Sequence, residues 1–198
     1  MAFIVPGLVL MTVLNSSFQG MLFSFYFMKF QKTVEEILVS PMPSWLVVAG
    51  YVGGAVARGG VVGALVFASA YFFEKIPVAH PFLAILVVVL TAVFFSLAGL
   101  VNAVYARNFD DLNIVSTFVL TPLTYLGGVF YSVTLLPPLW QTISHFNPIL
   151  YLVNAFRYSI LGFSDISFLT GISVLLGCCA VMFMWVLYLF KTGRGLRA

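Results

Sequence analysis

Nine Lys/Arg and six Asp/Glu give the 198-residue chain a formal net charge of +3, while 62% of its residues are hydrophobic. A mean hydropathy of +1.11 excludes a soluble globular domain, whose surface needs far more polar groups than these. No basic patch exists to neutralise phosphates, which excludes nucleic acid as a partner. The solvent is lipid, and the fold class is an all-α integral membrane protein, a polytopic helical bundle.

A crossing needs about 20 mostly apolar residues. The first such stretch is 3–28. It is followed by a charged segment, "KFQKTVEEILVSPMP", holding Lys29, Lys32, Glu35 and Glu36. Phe30, Val34, Ile37 and Leu38 fall at i, i+4, i+7 and i+8, one face of a helix over 30–40, and Pro41 and Pro43 end it. The second span is 44–73, and it contains Arg58 between two pairs of small residues, Gly50/Gly54 and Gly59/Gly63, spaced for close helix approach. An arginine near mid-membrane costs about 2.5–3.5 kcal/mol on insertion scales, so Arg58 should face protein or water. Pairing with backbone carbonyls, a snorkelled position, or a place on a substrate path would each meet that demand.

The third span is 81–105. In the loop "ARNFDDLN" after it, Asp110-Asp111 reads as a turn and helix cap rather than a metal-binding acid pair. A fourth span is expected over 113–131. The stretch 132–164 is apolar but is interrupted by Pro137-Pro138 and Asn147-Pro148, so it reads as two short helices that enter the membrane and return. Arg157 lies within it, placed to anchor at the outer interface or to pair with Asp165. The fifth span is 166–190, where Cys178 and Cys179 serve as small hydrophobes.

Orientation follows from the basic residues. Lys29, Lys32, Arg107, Lys191, Arg194 and Arg197 share one side, and Lys75 and Arg157 the other, which puts the first side and the C-terminus in the cytoplasm. Five crossings then leave the N-terminus outside, and the expectation is that a further span precedes this sequence. No G-x-x-x-x-G-K-[ST] phosphate loop occurs, so any ATP hydrolysis belongs to another chain.

Two stretches carry a family resemblance. "FIVPGLVLMTVLNSSFQG" followed by "FQKTVEEILVSPMP", and later "TPLTYLGGVFYSVTLLPPLWQTISHFNPILYLVNAFRYSILG", resemble the ABC-2 type transport permeases, most closely their bacterial inner-membrane members. The resemblance spans essentially the whole chain, as a single transmembrane domain over 1–198. It implies six transmembrane helices in the intact family, with a cytosolic segment and a first span ahead of the "FIVPG" stretch, and an external re-entrant helical hairpin.

It further implies an exporter subunit acting as a homodimer with two ATP-binding subunits, which bind the ATP and Mg²⁺; this chain holds no cofactor. Glu35, Glu36, Ile37, Leu38, Val39, Ser40 and Pro41 correspond to the family's coupling helix, which fits a groove on the ATPase. Arg58, Pro148 and Arg157 are the candidates for translocation or gating. A stand-alone ion-coupled transporter is the alternative, although none of the six acids sits mid-span. A membrane enzyme acting on a lipid-linked substrate is a third reading, without paired acids or a nucleophile motif to support it.

Overall fold

The computed structural model describes residues 3–34, 36, 42–73, 78–133, 137–164 and 166–193, and every regular element among them is helical. In chain order these are α1 (Ile4–Phe30), α2 (Ser44–Phe73), α3 (Pro81–Tyr105), α4 (Phe109–Val115), a π-helical turn (Ser116–Leu120), α5 (Thr121–Leu126), α6 (Pro138–His145), α7 (Pro148–Leu161) and α8 (Phe168–Thr192). Among the described residues, four helices are long and apolar enough to cross a membrane: α1, α2, α3 and α8.

The helix α1 is the centre of the bundle and packs on α2, α3 and α7. Its apolar residues Leu10, Leu14, Phe18, Met21, Leu22 and Phe25 recur every three or four positions and are all buried. Close approach to α3 depends on Gly99, where a Cβ would lie 2.5 Å from the Phe18 carbonyl oxygen. On α2, Gly59 and Gly63 sit directly against Ser17 and Val13 of α1, so this small-residue pair packs within the bundle. Gly50 and Gly54 meet nothing within 4 Å.

Over the expected fourth crossing the chain forms an interrupted helix made of α4, the π turn and α5, beginning at Phe109 and ending at Leu126. Asn108 and Asp111 form a reciprocal capping box at its start, with the Asp111 carboxylate accepting from the Asn108 N–H at 3.2 Å. The ladder widens where Thr121 Oγ1 donates to the Ser116 carbonyl at 3.0 Å, one residue before Pro122, which has no N–H to offer. Gly128, at φ +71°, turns the chain away.

The proline-interrupted stretch contains two short helices, α6 and α7, each with a proline in its first turn. Asn147 caps α7 by accepting from the Ile149 N–H at 3.0 Å, while its amide donates to the Leu123 carbonyl at 2.6 Å and so ties α7 to α5. The N–H groups of Ala79 and His80 cap the far end of α7 through the carbonyls of Ile160 and Ser159. The bundle therefore has two distinct ends. One gathers the start of α1, the start of α3 and the end of α7. The other gathers Lys29, Arg107 and Lys191, with Phe25 and Phe190 in edge contact at 5.9 Å between ring centroids.

Candidate functional site

Three places carry the polar groups that an apolar bundle must justify. The first is the root of the charged segment after α1. Glu35, Ile37, Leu38, Val39, Ser40 and Pro41 lie outside the described residues; Glu36 is described and exposed. What precedes them is firmly held. Lys29 Nζ donates to the carbonyls of Val104 and Ala106 at 2.6 and 3.1 Å, placing a cation on the carbonyl end of α3, where the helix dipole favours it. Phe109 of α4 packs on the rings of Tyr26, Phe27 and Phe30. Lys32 adopts a left-handed conformation (φ 60°) that turns the chain, and Val34 is then inserted into the core, 2% exposed. The segment thus leaves from a clasp joining α1, α3 and α4.

The second place is Arg157. Arg157, expected as an anchor at the outer interface or a partner of Asp165, is buried in the bundle, only 1% exposed. Its guanidinium donates to the Gly128 carbonyl at 2.9 Å and lies 3.7 Å over the ring of Phe3, a cation–π contact. Asp165, the suggested partner, lies outside the described residues. The arginine joins the start of α1, the turn after α5 and α7. Pro148 is half-buried in the first turn of α7, directly after the Asn147 cap. The two candidates thus lie on one helix, Pro148 at its start and Arg157 about two and a half turns further on, where the contacts to Gly128 and Phe3 are made.

The third place is Arg58, at the middle of the 30-residue α2. It is exposed, and no hydrogen bond or ion pair holds it among the described residues. Its side chain lies over Gly20 of α1: a Cβ there would come within 3.1 Å of Arg58 Cδ and 3.5 Å of Nη1. Gly20 thus makes room for the arginine. Gln19, exposed, is next to Gly20 in sequence, and the half-buried Ser16 is one turn before it. Only 11% of the apolar window of α2 is buried among the described residues, against 56% for α1.

Sequence reasoning singled out both arginines but could not distinguish a buried brace from an open charge. It missed the Lys29 clasp, because a lysine at the end of a span reads only as a topology signal. The small residue opposite Arg58 was present in the sequence, but nothing there pairs Gly20 with position 58.

Taken together, these features define a multi-pass helical membrane protein whose polar groups lie along inter-helix seams and junctions. The model of the ABC-2 type transporter family matches residues 1–161, and the chain belongs to that family. It is 51% identical over 198 residues to the inner membrane transport permease YadH of Escherichia coli (strain K12), a match covering 100% of this chain and 77% of the relative. It is also 26% identical over 165 residues to nodulation protein J of Rhizobium leguminosarum bv. trifolii, covering 81% of this chain and 62% of that protein. The chain is accordingly the membrane permease subunit of an ABC transporter, a non-enzymatic component of a class that works with an ATP-binding partner.

Proposed function

We propose that this permease acts as a homodimer bearing two ATP-binding subunits and moves its substrate outward across the bacterial inner membrane. ATP and Mg²⁺ are bound by the partner, and the C-terminus is cytoplasmic. The segment Glu35, Glu36, Ile37, Leu38, Val39, Ser40 and Pro41 docks on the ATPase, its carboxylates meeting basic groups across a polar rim. The observation that carries this reading is the clasp at the segment's root. A push on a segment fastened through Lys29 and Val34 to α1 and α3 reaches the centre of the bundle, whereas a push on a loose loop would be dissipated. Substrate passes between the two permease copies, and the proline-bounded helices α6 and α7 close the outer end.

Replacing both Glu35 and Glu36 with Lys reverses the charge of the segment and leaves the apolar face alone. The double variant is expected to insert at normal levels yet retain less than about a tenth of the co-purifying ATPase, the loss of roughly 1.4 kcal/mol or more of docking energy. Quantitative mass spectrometry of the tagged permease reads this directly. Undiminished ATPase recovery and transport would sink the assignment.

A further inference from the structure

We infer that the π turn Ser116–Leu120 is a two-register joint. It is π-helical here and α-helical in a second state, and the change unlatches α7 and so loosens the outer end of the bundle. That α6 and α7 close the outer end rests on the transport reading above; the joint itself does not.

The turn lies between two helices held by different bodies. On one side α4 belongs to the clasp: Phe109 packs on Tyr26 and Phe30 of α1, and Asn102 Nδ2 of α3 donates to the Leu112 carbonyl at 3.3 Å. On the other side α5 belongs to the outer junction. Its Leu123 carbonyl accepts from Asn147 Nδ2, and the Gly128 carbonyl just beyond it accepts from Arg157. Among the described residues, the hydrogen bonds of the turn stay within its own helix. A rotation of one body against the other is therefore taken up here.

Two residues bring the registers close in energy. Pro122 has no N–H. In a continuous α-helix that N–H would pair with the Phe118 carbonyl, so the proline withholds the bond that would favour the α register. Thr121 supports the π register, because its N–H and its hydroxyl both reach the Ser116 carbonyl, five residues back. Other helical hydroxyls of this fold reach three or four back, as Thr91 does to Val87, Thr124 to Leu120 and Ser159 to Ala155. In the α register Thr121 would bond the Thr117 carbonyl in that ordinary way and lose nothing. Ser116 Oγ is buried with no partner as the turn now stands, a cost to the present register.

Passing the extra residue on toward Gly127 and Gly128 would turn α5 by about 100° relative to α4 and carry its surface by up to about 9 Å. The Leu123 carbonyl would then no longer face Asn147. Asn147 is thus a latch that holds α5 to α7 in the π register alone.

The test uses the purified full chain in nanodiscs without the ATPase, so failure of the coupling reading would leave its outcome unchanged. Two spin-label pairs, Tyr125→Cys with Leu176→Cys and Leu139→Cys with Leu176→Cys, are made in a Cys178→Ala, Cys179→Ala background. All three positions are exposed. Labelled chain is diluted with unlabelled chain, so that pulsed electron resonance reads distances within one copy. Pro122→Ala restores the N–H that favours the α register. Asn147→Ser keeps an acceptor for the Ile149 N–H but cannot reach Leu123. Each variant should raise the same second peak for position 125 by about threefold or more over the wild type, the worth of one hydrogen bond. Position 139 should shift in step. Identical distances in the wild type and both variants, a second peak in only one variant, broadening without a discrete second peak, or movement of position 125 without position 139 would each overturn the inference.

Discussion

Arg58 and Arg157 are the same residue type, yet one is exposed and the other is buried. The difference is made by what faces them. Arg157 sits under Phe3 and against the Gly128 carbonyl, and a buried donor and acceptor that satisfy each other hold three segments together. Replacing it with Met keeps much of the volume and removes the donor. The Gly128 carbonyl loses that bond, and the expected cost is about 1–3 kcal/mol, read as a lower unfolding midpoint in detergent. Arg157→Lys should recover part of this, since an ammonium can still donate but cannot lie flat on the ring. A midpoint unchanged in Arg157→Met would mean the junction is held by α7's apolar packing alone.

At the level of elements, the helix crossings are set by where side chains are missing. Gly99 brings α3 against the backbone of α1 at Phe18, and a β-branched residue there must push two buried helices apart. Gly99→Val is expected to destabilise the bundle by about 1–3 kcal/mol. Gly177→Val on α8, where a Cβ meets nothing within 4 Å, should stay within about 0.5 kcal/mol. Thermal unfolding of the two variants side by side checks the pair, and equal effects would refute the crossing geometry.

The same contrast shows what the sequence could reveal. Long apolar helices were legible because a bilayer demands length and hydropathy and little else. The cap at Asp111 was legible because its partners are local, three and four residues away. The break at Ser116–Leu120 was not, since hydropathy runs through it unchanged and the cause is a single proline acting with a neighbouring threonine. Nor was the burial of Arg157, which depends on a ring 154 positions earlier in the chain.

For the whole molecule, the direction of transport depends on which end of the bundle faces the cytosol. Lys29, Arg107 and Lys191 lie at one end, and the positive-inside rule predicts that this end faces the cytoplasm. Two single cysteines test this in a background where Cys178 and Cys179 are replaced by Ala. Lys75→Cys follows α2, and Asp110→Cys lies at the start of α4 beside the capping residue Asp111, whose carboxylate makes the cap and is left intact. In intact spheroplasts a membrane-impermeant maleimide should label position 75 and spare position 110. Position 110 should react only after the membrane is opened. That result would put the clasp at Lys29, and the charged segment it holds, on the side where ATP is available. The reverse pattern would place the segment outside, where no ATPase could push it, and the mechanical argument built on the clasp would fall with the topology.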